Sequence, residues 1–180
     1  MSDRLFLAVD LTDEVAHGLA AFLEEETMRL PGRPTPPANW HLTIRFLGST
    51  SALQCDRILE FLDEHLAVEP FTMSFGGLGA FPKPTRATVL WLAVQQGADQ
   101  LATMAEIADL AAQSVGFEAE ERPFHAHLTL SRIRPPMNVS PLIDRVPRFP
   151  LPMPVDRLTL YRSHLNREGA TYEALDSVEL

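Results

Sequence analysis

Two periods of apolar spacing alternate along this chain, and the switches between them outline its elements. Residues 4–11 are mostly apolar and predict a buried strand, after which Thr12-Asp13-Glu14 supplies a helix cap and acidic first-turn residues. Val15, Leu19, Phe22 and Leu23 recur at helical spacing and turn one apolar stripe toward a sheet. The run Pro31-Gly32-Arg33-Pro34-Thr35-Pro36-Pro37 cannot extend that helix, so it is expected to be a loop leading into a strand that begins near His41. Ser49 to Ser51 can cap a second helix whose Cys55, Ile58, Leu59, Leu62 and Leu66 share one side. Phe71, Met73 and Phe75 alternate with Thr72 and Ser74, as in a half-buried strand, and residues 87–94 form another. Between them Gly76-Gly77-Leu78-Gly79 marks a turn or bulge. A third helix is predicted over Ala98–Val115, a strand over 126–133, an irregular connection over Pro135–Pro154, and closing strands near 155–162 and 171–178.

That makes about seven strands and three helices. Because strands and helices do not alternate regularly, the expected class is α+β, with mostly antiparallel sheets and helices on their outer faces. At 180 residues and 46% hydrophobic content the chain can bury a real core, and residues 1–180 are expected to form one domain, compact or two-lobed. No apolar run approaches the roughly 20 residues that span a bilayer. The first residues lack the length and cleavage region of a signal peptide, so a cytoplasmic location is expected. The single cysteine, Cys55, permits no internal disulfide or cysteine-built metal cage and is assigned to the core. A net charge of −9 disfavours a protein that coats nucleic acid, yet allows a small basic cleft for one phosphate.

The candidate chemistry lies in a strand spelled nearly twice, His41-Leu42-Thr43-Ile44 and His127-Leu128-Thr129-Leu130. Successive side chains of a strand point to opposite faces, so each His shares a face with its Thr while the aliphatic residues face the other way. Each copy offers a proton-transfer group beside a hydroxyl, and two such strands side by side would give a cleft an acid/base pair suited to phosphate chemistry.

With these motifs the sequence resembles the two-histidine phosphoesterases, and within them the RNA 2',3'-cyclic phosphodiesterases, also called 2'-5' RNA ligases. The resemblance covers nearly the whole chain. It includes the opening Leu5 to Asp10, the block Trp40 to Gly48, Gly79-Ala80-Phe81-Pro82 and Val89 to Leu92. It continues through Pro123-Phe124 and His127 to Arg132, then Leu160 to Leu165 and Tyr172. It implies a bilobal α+β fold about a pseudo-two-fold axis, both motifs lining one central cleft. It also implies metal-independent hydrolysis of an RNA 2',3'-cyclic phosphate end to a 2'-phosphate, with no cofactor and with 2'-5' ligation as the reverse. By motif position His41 would be the general acid, His127 the general base, and Thr43 and Thr129 would hydrogen-bond the phosphate oxygens. A monomer is expected.

Opening a cyclic ester needs a base for the attacking water and an acid for the departing 3'-oxygen, and histidine can play either part near neutrality. Arginine is the natural cation for the phosphate. Arg45 shares the face of His41 by strand parity, whereas Arg132 has the opposite parity to His127 and reaches the cleft only through a bulge or a strand end. Phe46 and Trp40 could stack on a base, although core packing is the heavier reading for both, as for Tyr161 and Tyr172. His125 lies on the face of His127, and His-x-His is a metal-ligand spacing, so a three-His metallohydrolase built with His41 stays open. The family often has Pro before the second motif; this chain has Ala126. Two further alternatives stand. The mechanism could act on a small cyclic nucleotide or a sugar-nucleotide cyclic phosphate, or the cleft could be a non-catalytic RNA-binding module.

Overall fold

The computed structural model describes residues 2–27, 29–167 and 169–180, and among them nine strands and four α-helices. The order is β1 (Ser2–Asp10), α1 (Asp13–Thr27), β2 (Arg33–Pro34), β3 (His41–Ser51), α2 (Ala52–His65), β4 (Phe71–Phe81) and β5 (Ala87–Gln96). There follow α3 (Ala98–Ser114), β6 (His127–Met137), α4 (Ser140–Arg145), β7 (Pro152–Val155), β8 (Arg157–Asn166) and β9 (Gly169–Glu179). The strands make two sheets, β3-β1-β8-β9 and β2-β6-β5-β4-β7, with antiparallel pairing throughout. This is the α+β class expected. No helix among the described residues is long and apolar enough to cross a membrane.

The two halves repeat one connection. β1-α1-β3 and β5-α3-β6 each run strand, helix, His strand, with the two strands paired antiparallel. The helices form where the spacing placed them. Val15, Leu19 and Leu23 of α1 are buried, and Thr12 caps its first turn by accepting from the Val15 N–H at 3.3 Å. Ser51 and Gln54 close a full capping box on α2. One hydrophobic cluster includes Leu5 and Leu7 of β1, Leu90 and Leu92 of β5, and Met104 and Ala108 of α3, so both sheets share a core. Cys55 is half-buried against that cluster.

Proline and glycine mark the stretches where expectation is refined or corrected: the predicted 31–37 loop contains the short strand β2. Of the two readings of the glycines 76–79, turn or bulge, the bulge holds, since β4 runs through them with a register break between Phe75 and Leu78. β6 runs on to Met137 because Pro135 and Pro136 fall in a stretch looped out between the Arg132 and Met137 pairings, where no ladder N–H is required. Instead of an irregular 135–154 segment there are α4 and the edge strand β7, whose Pro152 and Pro154 are exposed and whose Met153 and Val155 are buried. An edge strand has one ladder to make, so prolines at alternate positions cost it no hydrogen bond.

Gly79 pairs with Trp91 across β4 and β5, and the indole lies over its Cα: a Cβ on Gly79 would sit 2.2 Å from Trp91 Cη2. Gly79→Ala is therefore expected to lower stability by about 1–3 kcal/mol through displacement of the ring. Urea unfolding checks this, with a lower midpoint and an unchanged m value as the expected result.

Candidate active site

The two His strands carry the same irregularity at the same place. In β3, Ala8 pairs with Thr43 and Leu7 with Arg45, leaving Ile44 unpaired; in β6, Trp91 pairs with Thr129 and Leu90 with Ser131, leaving Leu130 unpaired. Each extra residue is the fourth of its motif, and both are buried. A bulge of this kind inverts the inside-outside alternation beyond it. Phe46 and Arg132, each five residues after its histidine, consequently join the face of His41, Thr43, His127 and Thr129. In β6 the bulge is held from outside. The Thr35 N–H donates to the Leu130 carbonyl at 2.8 Å, the Ser131 hydroxyl donates to the Pro31 carbonyl, and β2 pairs Arg33 with Arg132. Gly32 passes so close to the Arg132 carbonyl that its backbone, at φ +76°, leaves no room for a side chain.

Both imidazoles are anchored alike. The Nδ1 of His41 lies 2.9 Å from the Asn39 carbonyl and that of His127 lies 2.6 Å from the His125 carbonyl. A carbonyl only accepts, so each Nδ1 holds a proton and each Nε2 is the titrating atom. The Thr43 hydroxyl reaches His41 Nε2 at 3.0 Å. Rings hold the imidazoles on their flanks: Phe6 and Tyr172 at 4.8 and 5.1 Å from His41, Phe81 and Trp91 at 5.1 and 6.1 Å from His127. Burial pushes both histidines below their ordinary 6.5, partly offset by the carbonyl bonds. Their neighbours then differ. The carboxylate of Asp10, cross-strand partner of His41, raises His41 while the charge of His127 lowers it, whereas the charges of His125 and Arg132 both lower His127 further. The position equivalent to Asp10 across from His127 is Ala93. Asp10 is itself fixed by the hydroxyls of Thr159 at 2.7 Å and Tyr161 at 2.5 Å, and burial together with that carboxylate raises the Tyr161 phenol.

The cleft between the motifs has a volume of about 320 Å³, and both histidines and both threonines line it. Arg132 and Arg4 also face into it, and the Arg4 guanidinium lies 4.7 Å over the Phe46 ring. Among the described residues lining it there is no Asp or Glu. A chain of net charge −9 has thus assembled a cavity whose described lining holds two guanidiniums and no carboxylate, a site for a single anion.

Several expectations need correcting. Arg45 is not in this cleft: the bulge turns it away, its Nη1 bonds Glu120 at 2.9 Å and its Nη2 donates to the Glu118 carbonyl at 2.7 Å. Its Nε stands 2.9 Å from Asp109, an ion pair without hydrogen-bond alignment. Trp40 is buried in the core as read, but Phe46, read as core, is exposed and lines the cleft with Tyr172, while Tyr161 serves Asp10. His125 packs edge-on against Trp91 at 4.9 Å and Phe81 at 5.5 Å. No group of three or more His, Cys, Asp or Glu among the described residues could hold a metal ion, so the three-His constellation does not form. Arg4 and Asp10 are site residues that strand parity did not reveal, each brought to the site by pairing of β1 with the distant β3, and Asn39, in the turn before β3, joins them through the carbonyl that anchors His41.

Known proteins resemble this chain in sequence and fold. The RNA 2',3'-cyclic phosphodiesterase of Escherichia coli is 32% identical over 176 residues, covering 96% of this chain and 93% of its own. The protein of the same name from Aeropyrum pernix is 32% identical over 154 residues, covering 83% of this chain and 87% of its own. The crystal structure of Escherichia coli LigT complexed with 3'-AMP superposes with a TM-score of 0.82 at 27% identity, over 100% of this chain and 99% of that one. The crystal structure of TT0787 from Thermus thermophilus gives 0.81 at 29%, over 98% and 97%. The family profile of the 2'-5' RNA ligase superfamily matches residues 6–167, and the chain belongs to that superfamily.

Proposed function

We propose that this protein is an RNA 2',3'-cyclic phosphodiesterase that opens the cyclic ester to a 2'-phosphate by paired histidine catalysis. The observation that carries it is the convergence of two Nδ1-anchored imidazoles and two threonine hydroxyls on one cleft with arginines and no described carboxylate. Its relatives bear the corresponding name.

The cyclic phosphate sits between the motifs, its non-bridging oxygens toward Thr43, Thr129 and Arg132. His127, lowered by burial and by the charges of His125 and Arg132, holds a free Nε2 and takes a proton from the attacking water. His41, raised by Asp10 against its burial, gives its Nε2 proton to the departing 3'-oxygen. Water oxygen bonds to phosphorus, the P–O3' bond breaks, and the 2'-phosphate and 3'-hydroxyl remain. Charge gathering on the non-bridging oxygens is met by preset donors. Phe46, with the Arg4 guanidinium over one face, offers a platform for a base. Both motifs lie on one chain, so a monomer suffices.

Product analysis of a short RNA ending in a 2',3'-cyclic phosphate tests this, run with excess chelator. A 2'-phosphate product is expected from the native protein, and His41→Ala and His127→Ala should each lower turnover by about 10²–10⁴-fold. Loss of native turnover under chelator would favour a metal site instead. No turnover of RNA, with turnover of a small cyclic nucleotide, would move the substrate to that class.

The pH dependence of kcat/KM should be bell-shaped with its maximum below 6.5, since burial lowers both histidines and the reaction needs one protonated and one neutral. Asp10→Asn removes a charge that raises His41, so one limb should move to lower pH. Arg132→Gln removes a charge that lowers His127, so one limb should move to higher pH, and KM should rise as a phosphate contact is lost. A profile unmoved by either variant would exclude these residues from setting the pair.

A further inference from the structure

A second pocket, of about 340 Å³, adjoins the catalytic cleft between β3, α3 and the 120–125 segment, and the two cavities share Thr43, Phe46 and His127. The segment therefore spans a hollow and is not packed flat onto β3. Its backbone has little support of its own: residues 118–124 make no backbone–backbone hydrogen bond with the described residues. Among the described residues, the polar contacts of this stretch all end on Arg45 or Asp109. Arg45 Nη2 donates to the Glu118 carbonyl at 2.7 Å and Nη1 to the Glu120 carboxylate at 2.9 Å, while the Glu120 N–H donates to Asp109 Oδ1 at 3.1 Å. Asp109 stands 2.9 Å from Arg45 Nε and accepts from the Gln113 side chain of α3 at 2.8 Å. The Arg45 side chain is only 11% exposed, so these charged contacts are shielded from solvent screening.

The clamp lies between the two motifs along the chain. Glu120 is five residues before His125, whose carbonyl lies 2.6 Å from His127 Nδ1. Arg45 itself is two residues after Thr43, on the strand of His41. We propose that Arg45 is a positioning residue for His127: by fixing the 118–120 stretch to β3 it holds the His125 carbonyl where it keeps the His127 proton on Nδ1 and leaves Nε2 free to act as the base. This rests on the function proposed above. The tautomer of a histidine is set by the bond its other ring nitrogen makes. Without the guanidinium, Asp109 and Glu120 face each other unneutralised and the segment is free to shift over the hollow. A His127 released from its carbonyl then populates the Nε2–H form, which cannot take a proton from water. Lysine would be a poor replacement, because a single ammonium lacks the planar fork that reaches the Glu118 carbonyl and both carboxylates together.

The first readout needs no turnover. Nitrogen-15 NMR of the imidazoles, recorded where the rings are neutral and assigned with His41→Ala and His127→Ala, separates protonated from free ring nitrogens. Native protein should show both His41 and His127 protonated on Nδ1, and Arg45→Met should move His127 alone toward a mixture of tautomers. Hydrolysis of the cyclic-phosphate RNA by the native protein judges the proposed function by itself. In Arg45→Met its kcat should fall by about 10- to 100-fold, with KM nearly unchanged because Arg45 does not line the cleft. Added to His127→Ala, Arg45→Met should lower turnover no further, since both changes act through one group. Arg45→Lys keeps a positive charge between Asp109 and Glu120, which preserves the fold if the Met variant loses it, and should move the tautomer and kcat in the same sense. A His127 tautomer unmoved by both variants, His41 and His127 moving together, or an Arg45 loss that persists in full beside His127→Ala would overturn the inference. A shifted His127 tautomer in a protein that hydrolyses no cyclic-phosphate RNA would uphold the clamp and remove the proposed function.

Discussion

The site depends on one extra residue in each His strand. Strict alternation would carry Arg45 into the cleft and Arg132 out of it, leaving the cation on the wrong side of one motif and an aromatic missing from the other. The unpaired Ile44 and Leu130 reverse this in both halves, so that His, Thr and the residue five after the His all face one cavity. The extra side chains are not wasted: each is buried in the core, which makes the bulge a packed feature and not a defect. In β6 a segment from the other half of the chain meets the lost backbone pairing, the Thr35 N–H donating to the Leu130 carbonyl, and the Ser131 hydroxyl donates to the Pro31 carbonyl beside it. The proline-rich stretch that reads as mere linker is thus the external brace of the second motif.

Electrostatics explain why such a cleft needs a particular wall. With 24 acidic residues against 15 basic ones, a phosphate would be repelled from most of this surface. Three described acidic groups near the cleft are engaged elsewhere: Asp10 by Thr159 and Tyr161, Asp109 and Glu120 by Arg45. Arg45 therefore contributes without touching the cleft. Its guanidinium ties β3 to α3 and to the segment that leads into His125 and His127, holding two carboxylates beside the adjoining pocket.

The elements and the two histidines could be read from the sequence because both are local properties. Helices α1, α2 and α3 follow from apolar spacing, and the His-x-Thr pattern declares two hydroxyl-bearing faces. Parity failed at Ile44 and Leu130 because a bulge is decided by the partner strand, and nothing in Leu42-Thr43-Ile44 distinguishes a bulged triplet from a regular one. The same limit hid the role of Arg45, whose partners Asp109 and Glu120 are brought to it by α3 and the following loop. Arg4 and Asp10 belong to β1, whose apolar run gave no sign that its two ends would flank the cleft. The misreading of 135–154 has a different source: prolines argue against interior strands, and these lie in a looped-out stretch and on an edge, the two places where the prohibition lapses.

A repeated scaffold suits this chemistry because in-line displacement at phosphorus is itself nearly two-fold, with nucleophile and leaving group exchanging places across one atom. β1-α1-β3 and β5-α3-β6 supply two equivalent His-Thr pairs by the same connection. Perfect equivalence would give two imidazoles of equal proton affinity, and neither would be committed to acid or base. In the proposed mechanism the surroundings distinguish the two: Asp10 stands opposite His41 where Ala93 stands opposite His127, and Arg132 charges the second side. On that reading the reacting groups are the most alike parts of the two halves, and the residues behind them are what differ. Divergence of the two halves could tune that difference at β1 and β5 without disturbing either motif.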